Sequence, residues 1–207
     1  MIPRLYAIID AGILSARGIS IATIAHELRE AGVELIQYRD KTGAPQQVLE
    51  AVALVRAAFA GTTCQLILND RADLAALANA DGVHVGQDDL SPADVRAVLG
   101  PRKLIGLSTH NDQQVQAADQ TGAGYIAIGP VFSTGTKLNP DPVIGLEGVR
   151  RARALTTKPL VAIGGITRDN ALSVIQAGAD SVAVISGLLS PDEATIKIAR
   201  DFLDILR

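Results

Sequence analysis

QLILND (65–70) and GVHVGQ (82–87) are short apolar, β-branched runs, separated by a segment rich in alanine and leucine. Runs of this length, bounded by turn residues, read as buried strands, and the segment between them reads as a helix. The same alternation extends outward in both directions. LYAIID (5–10), LIQYRDK (35–41), KLIGLST (103–109), YIAIGPVF (125–132), PLVAIGGI (159–166) and SVAVIS (181–186) repeat the strand pattern, which makes eight strands in all. Between them lie amphipathic segments, one of which carries Val48, Val52, Val55 and Phe59 on a single face at helical spacing.

The segment ends carry helix chemistry. Ser91 and Pro92 open one helix and Gly100 closes it, while Ser190, Pro191 and Glu193 read as a capping box before the last. AGVELI, NADGVHV, TGAGYIAI and AGADSVAV each lead into an even-numbered strand through a glycine suited to a helix C-cap or turn, the mark of a repeated unit. Eight such units predict an α/β fold, a closed (β/α)8 TIM barrel that occupies residues 1–207 as a single domain. The alternative, an open doubly wound sheet, usually has about five or six strands and a G-x-G-x-x-G turn, which this chain lacks. The longest irregular stretch, from Ser133 to Gly145, follows strand six and is a candidate active-site loop.

Composition narrows the function classes. A chain of 207 residues that is 48% hydrophobic can bury a sizeable core. Its net charge of -3, from 19 basic and 22 acidic residues mixed along the sequence, provides no basic face for nucleic acid and no polybasic run for a membrane. No apolar run approaches the roughly 20 residues of a membrane helix. The N-terminus lacks the pattern of a signal peptide, and the lone Cys64 cannot form an intrachain disulfide, so a soluble protein of the reducing cytoplasm is expected. A homo-oligomer is compatible with all of this.

The strand ends carry the chemistry. Side chains alternate along a strand, so Gln37, Arg39 and Lys41 share one face, and cations buried in a barrel need an anion. That anion is either a ligand or a set of carboxylates closing the barrel mouth by salt bridges. Asn69 and Asp70 end strand three, and Gln87, Asp88 and Asp89 end strand four, where two carboxylates could hold a hard cation together with a substrate phosphate. The plainer reading makes Asp88 or Asp89 a helix cap. Ser108 can donate to a phosphate oxygen, Asn111 is placed to cap the next helix, and His110 on the Ser108 face has an open role. His84 and His26 read as structural, hydrogen-bonded residues. GPVFSTGTK (129–137) gathers hydroxyls, a glycine and Lys137 as if to wrap an anion, but Thr136 precedes the lysine, unlike a Walker loop. Gly164 and Gly165 end strand seven and Ser186 and Gly187 end strand eight, where barrels bind phosphate through backbone N–H groups.

In order along nearly the whole chain, Q-Y-R-D-K, N-D-R-A-D-L-A, D-G-V-H-V-G-Q-D-D-L, G-L-S-T-H, G-P-V-F-S-T-G-T-K and A-I-G-G-I resemble the thiamine-phosphate synthase family. The resemblance implies a (β/α)8 barrel that joins hydroxymethylpyrimidine pyrophosphate to a thiazole phosphate, releasing pyrophosphate through a dissociative, carbocation mechanism. It implies that Gln37, Arg39, Lys41, Asn69 and Lys137 contact the pyrimidine substrate and its pyrophosphate, that Asp70 and Asp89 bind Mg2+, and that Ser108 assists the leaving group. Thr134 and Thr136 would then contact the thiazole, and Gly165, Ile185 and Ser186 would hold its phosphate. Leu138, Asn139 and Pro140 depart from the small and acidic residues often found after the lysine. Two rivals are a thiazole tautomerase, which has no pyrophosphate to bind, and a catalytically silent phosphate-binding barrel.

Overall fold

The computed structural model describes residues 2–135 and 141–207. Eight strands form, each inside a stretch expected from sequence: β1 (Leu5–Asp10), β2 (Leu35–Arg39), β3 (Gln65–Asn69), β4 (Gly82–Val85), β5 (Leu104–Thr109), β6 (Tyr125–Ile128), β7 (Leu160–Ile163) and β8 (Ser181–Val184). All pair in parallel in chain order, and β1 returns against β8 through Leu5 and Val182. The sheet therefore closes into a barrel, and the open doubly wound alternative is excluded.

Helices follow the strands around the outside: α1 (Ala11–Ala16) and α2 (Ile21–Ala31) after β1, then α3 (Pro45–Ala58), α4 (Ala72–Leu77), α5 (Pro92–Leu99), α6 (Asp112–Asp119), α7 (Gly145–Leu155), α8 (Arg168–Gln176) and α9 (Thr195–Ile205). Alternation along each strand divides the core in two. Outward-facing residues such as Ala7, Ile36, Leu68 and Val83 pack beneath the helices, where α3 buries Val48, Val52 and Val55. Inward-facing residues, among them Tyr6, Ile8, Leu35, Ile67, Tyr125 and Val161, fill the barrel itself. The parity of β2 places Tyr38 in the outer core and Gln37 inside, as the sequence pattern requires.

Local punctuation agrees in part. Ser91 caps α5, its hydroxyl accepting the Asp94 N–H at 3.2 Å, and Asn111 caps α6 through the Gln114 N–H at 2.9 Å. The expected capping box before the last helix does not form. Ala194 is the N-cap of α9, Ser190 instead accepts the N–H of Asp192, and Glu193 pairs with Arg168 at 2.5 Å and Lys197 at 2.7 Å. A carboxylate flanked by two cations gains charge-assisted bonds that a single backbone N–H does not match. The lead-ins differ as well. Gly32 and Gly178 take the left-handed conformation after α2 and α8, but in NADGVHV it is Asn79 that does so (φ 49°), and Gly82 lies inside β4.

Candidate active site

At the C-terminal ends of the strands lies a cavity of about 550 Å³ to which all eight strands contribute side chains. Of the residues expected at the site, Gln37, Arg39, Lys41, Asn69, Asp70, Asp89, Ser108, Thr134, Gly165, Ile185 and Ser186 line it together. Thr136 and Lys137 lie outside the described residues. Strand ends distant in sequence meet here because barrel closure brings every strand to one mouth.

The rim over β1 to β4 is charged. Arg39 forms an ion pair with Asp10, a buried carboxylate that also accepts the Ile13 N–H at 3.0 Å and so starts α1. Lys41 Nζ donates to Asp70 Oδ2 at 2.5 Å. Both cations thus have the carboxylate partners of the salt-bridge alternative, and both line the cavity as well. Asp70 stands at φ 59°, a left-handed conformation rare for a residue with a side chain, and its N–H donates to the His84 carbonyl at 2.7 Å. Burial raises the Asp70 carboxyl above the usual carboxylate range; the Lys41 hydrogen bond opposes this and the neighbouring Asp89 adds to it. Asp89 accepts the Gly86 N–H at 2.7 Å, which closes the turn after β4, and with Ser91 capping α5 neither Asp88 nor Asp89 serves as that cap.

Two carboxylates close enough for Asp89 to add to the raised proton affinity of Asp70 make a suitable donor set for a hard divalent cation. Among the described residues no cluster of three or more His, Cys, Asp or Glu side chains forms a closed cage. Such a pair suits an ion like magnesium, which keeps several waters and takes its remaining ligands from substrate. Beside the pair, the side-chain nitrogen of Asn69 is buried and finds no hydrogen-bond partner among the described residues. A buried donor left free in this way costs stability unless a ligand takes it up.

The floor of the cavity is polar but neutral. Gln37 Nε2 donates to the Tyr6 hydroxyl at 2.8 Å, the Tyr6 and Tyr125 hydroxyls are 2.9 Å apart, and Tyr125 is 2.9 Å from His84 Nδ1. His84 Nε2 then meets Ser108 Oγ at 2.8 Å. Full enclosure pushes the His84 pKa down to about 4, so the imidazole is neutral near pH 7. The structural reading of His84 holds, since both ring nitrogens are satisfied. What sequence reasoning missed is that its partner is a residue expected at the site, and that Tyr6 and Tyr125 join it. The available signal was parity: Tyr6, His84 and Tyr125 all occupy inward positions of their strands, where a polar atom needs a partner inside the barrel.

The rim over β7 and β8 is built from backbone. Gly165 adopts φ 64°, and a Cβ there would lie 2.5 Å from the Ser133 carbonyl oxygen, so only glycine fits. Ile185, Ser186 and Gly187 complete this edge. His110 also lines the cavity, and its Nδ1 is 2.8 Å from the Gly129 carbonyl oxygen. A carbonyl oxygen only accepts, so Nδ1 carries the proton.

A family described as thiamine monophosphate synthase matches residues 5–188 of this chain. The chain belongs to that family. The thiamine-phosphate synthase of Koribacter versatilis is 52% identical over 208 residues, covering 99% of this chain and 96% of that protein. The thiamine-phosphate synthase of Chloroflexus aurantiacus is 41% identical over 192 residues, covering 93% and 88%. Among solved structures, the thiamine phosphate pyrophosphorylase of Pyrococcus furiosus superposes with a TM-score of 0.85 at 30% identity, covering 98% of this chain and 95% of its own. The family match spans all eight strands, and with them every described residue at the mouth that the sequence singled out.

Proposed function

We propose that this chain is a thiamine-phosphate synthase, a transferase that joins 4-amino-2-methyl-5-hydroxymethylpyrimidine pyrophosphate to a thiazole phosphate and releases pyrophosphate. The observation that carries the reading is the meeting of two cations, Arg39 and Lys41, with two carboxylates, Asp70 and Asp89, at one barrel mouth. A tautomerase would have no pyrophosphate for these groups to meet.

In this reading the pyrimidine sits over the floor, held by Gln37 and by the unsatisfied amide of Asn69. Arg39, Lys41 and Lys137 offset the negative charge that grows on the departing pyrophosphate, and Ser108 donates a hydrogen bond to it. Donors fixed in place before the reaction cost no reorganisation when the bond breaks, and one such donor is worth about 10²- to 10³-fold in rate. Asp70 and Asp89 would hold Mg2+, which when bound supplies further positive charge to the leaving group. Departure leaves a carbocation at the exocyclic methylene, stabilised by the aminopyrimidine, and the thiazole nitrogen attacks it. Thr134 and Thr136 orient the thiazole, and Gly165, Ile185 and Ser186 hold its phosphate through the backbone-rich rim. No general base is required, in keeping with a site whose histidines are engaged in other bonds.

The partners are small molecules. Among the described residues no helix is long and apolar enough to cross a membrane, and the single cysteine suits the cytoplasm. The test is pyrophosphate release by purified protein given both substrates, with Mg2+ or with chelator, and mass detection of thiamine phosphate. Metal-dependent product is expected, and folded protein that yields none would overturn the reading.

A further inference from the structure

Gln37, Tyr6, Tyr125, His84 and Ser108 form an unbroken hydrogen-bonded file across the barrel floor. Each hydroxyl has one proton, and a neutral imidazole that accepts at Nδ1 must donate at Nε2. With each tyrosine proton kept within the file, it has two polarities. In the forward one, Gln37 Nε2 donates to Tyr6, Tyr6 to Tyr125, Tyr125 to His84 Nδ1, and His84 Nε2–H to Ser108, whose own proton is free to point into the cavity. In the reverse one, the Gln37 carbonyl faces Tyr6 and every bond runs the other way. Ser108 then commits its proton to His84 and shows the cavity only lone pairs.

The wall is shaped to keep this file. Tyr125 and His84 stack with ring centroids 5.5 Å apart and planes 24° from parallel. A Cβ at Gly106 would fall 2.1 Å from the Tyr125 ring and 2.4 Å from His84 Nδ1, so the glycine makes their room. His84 is buried with one hydroxyl on each ring nitrogen, so a ring that accepts on one side donates on the other.

We propose that Tyr6, Tyr125 and His84 are positioning residues that couple recognition of the pyrimidine amine at Gln37 to hydrogen-bond donation by Ser108 at the leaving pyrophosphate. The inference rests on the thiamine-phosphate synthase reading. An amine donates, so it takes the Gln37 carbonyl and leaves Nε2 on Tyr6, which is the forward polarity. An anion beside Ser108 favours a proton over lone pairs, which is forward again. The two ends of one substrate thus select the same polarity. An analogue with an oxo group in place of the amine offers an acceptor, turns the Gln37 amide over and reverses the file.

The experiment compares the amino substrate with its oxo analogue at saturating thiazole phosphate. Tyr125→Phe keeps the ring and removes two links. We expect it to lower kcat for the amino substrate about tenfold, the worth of one hydrogen bond. KM for the thiazole phosphate and kcat for the analogue stay unchanged, so the preference for the amine shrinks. In a Ser108→Ala background the same substitution adds less than about twofold, because no hydroxyl is left to orient. Equal losses in both backgrounds, or on both substrates, would assign the Tyr125 hydroxyl to packing and overturn the coupling.

A readout free of turnover and of folding defects is the His84 tautomer in wild-type protein. It is followed by ¹⁵N NMR with the pyrimidine alcohol and inorganic pyrophosphate as probes. Proton on Nε2 is expected, and proton on Nδ1 overturns the proposal. Wild-type protein that makes no thiamine phosphate would remove the functional reading and the coupling together. With active wild type, the remaining outcomes decide the coupling alone.

Discussion

The floor and the charged rim of the cavity are both rich in polar atoms, yet they meet opposite electrostatic conditions. On the floor, Gln37, Tyr6, Tyr125, His84 and Ser108 satisfy one another and carry no net charge. On the rim, Asp70 is raised by burial and by Asp89 despite Lys41, and the Asn69 amide nitrogen has no partner among the described residues. Groups that complete one another fix a shape, whereas groups left incompletely compensated favour whatever arrives to complete them. The difference separates the part of the site that holds its form from the part that awaits a ligand.

The comparison can be broken most severely at Arg39. Arg39→Ala should lower turnover about 10²- to 10³-fold, the worth of one preorganised donor, as read by steady-state pyrophosphate release. It also strands the buried Asp10, so Tm should fall. Adding Asp10→Asn should restore part of the Tm and none of the turnover; regained turnover would make Arg39 a residue of the fold alone.

The floor gives the next effect, through pH. His84 has a folded pKa of about 4 against an ordinary 6.5, so between these values the native state binds fewer protons than the unfolded chain. Its contribution is complete above pH 6.5 and is lost as pH falls toward 4, by about 3 kcal/mol in all. Denaturant unfolding at pH 7 and pH 4.5 should show this loss in wild type and a smaller one in His84→Asn. Equal slopes would mean that the imidazole is not held neutral.

At Asp70 the rim should show function and stability pulling apart. Asp70→Asn should cost at least about tenfold in turnover, no less than the loss of an outer-sphere partner at a metal site. Removing one of two adjacent like charges should leave Tm unchanged or higher, because Lys41 is half exposed and loses little. A large drop in Tm with turnover intact would reverse the assignment. The smallest change belongs to the backbone rim. Gly165→Ala forces a side chain into φ 64° and against the Ser133 carbonyl, and should raise KM for the thiazole phosphate about tenfold while kcat holds. A change in KM for the pyrimidine substrate instead would place Gly165 with the other half of the site.

Much of the architecture was legible because hydrophobic period is local. All eight strands fall where short apolar runs stand, and Ser91 and Asn111 cap the helices that their positions announce. Parity along β2 was enough to set Gln37 and Tyr38 on opposite sides of the sheet. The errors arose where a competing partner comes from far along the chain. Glu193 reads as a capping residue until Arg168 is brought beside it by the packing of α8 and α9. For Arg39 and Lys41 spacing alone left a ligand anion and carboxylate partners both open, and only the fold brings Asp10 and Asp70 alongside them. Thr136 and Lys137, both expected at the site, lie outside the described residues.

By itself the sequence determined the eight-fold alternation, which residues of β2 and of β5 share a face and the list of groups that end the strands, because each of these depends on spacing within a few residues. Only the tertiary structure decided which of those groups touch. Closing the sheet through β1 and β8 set the registers that lay Tyr6 beside Tyr125 and Gln37, and His84 beside Ser108. A hydrogen bond across 119 residues of chain has no local signature; it exists because a closed barrel has a single interior, into which every inward polar atom must find its partner.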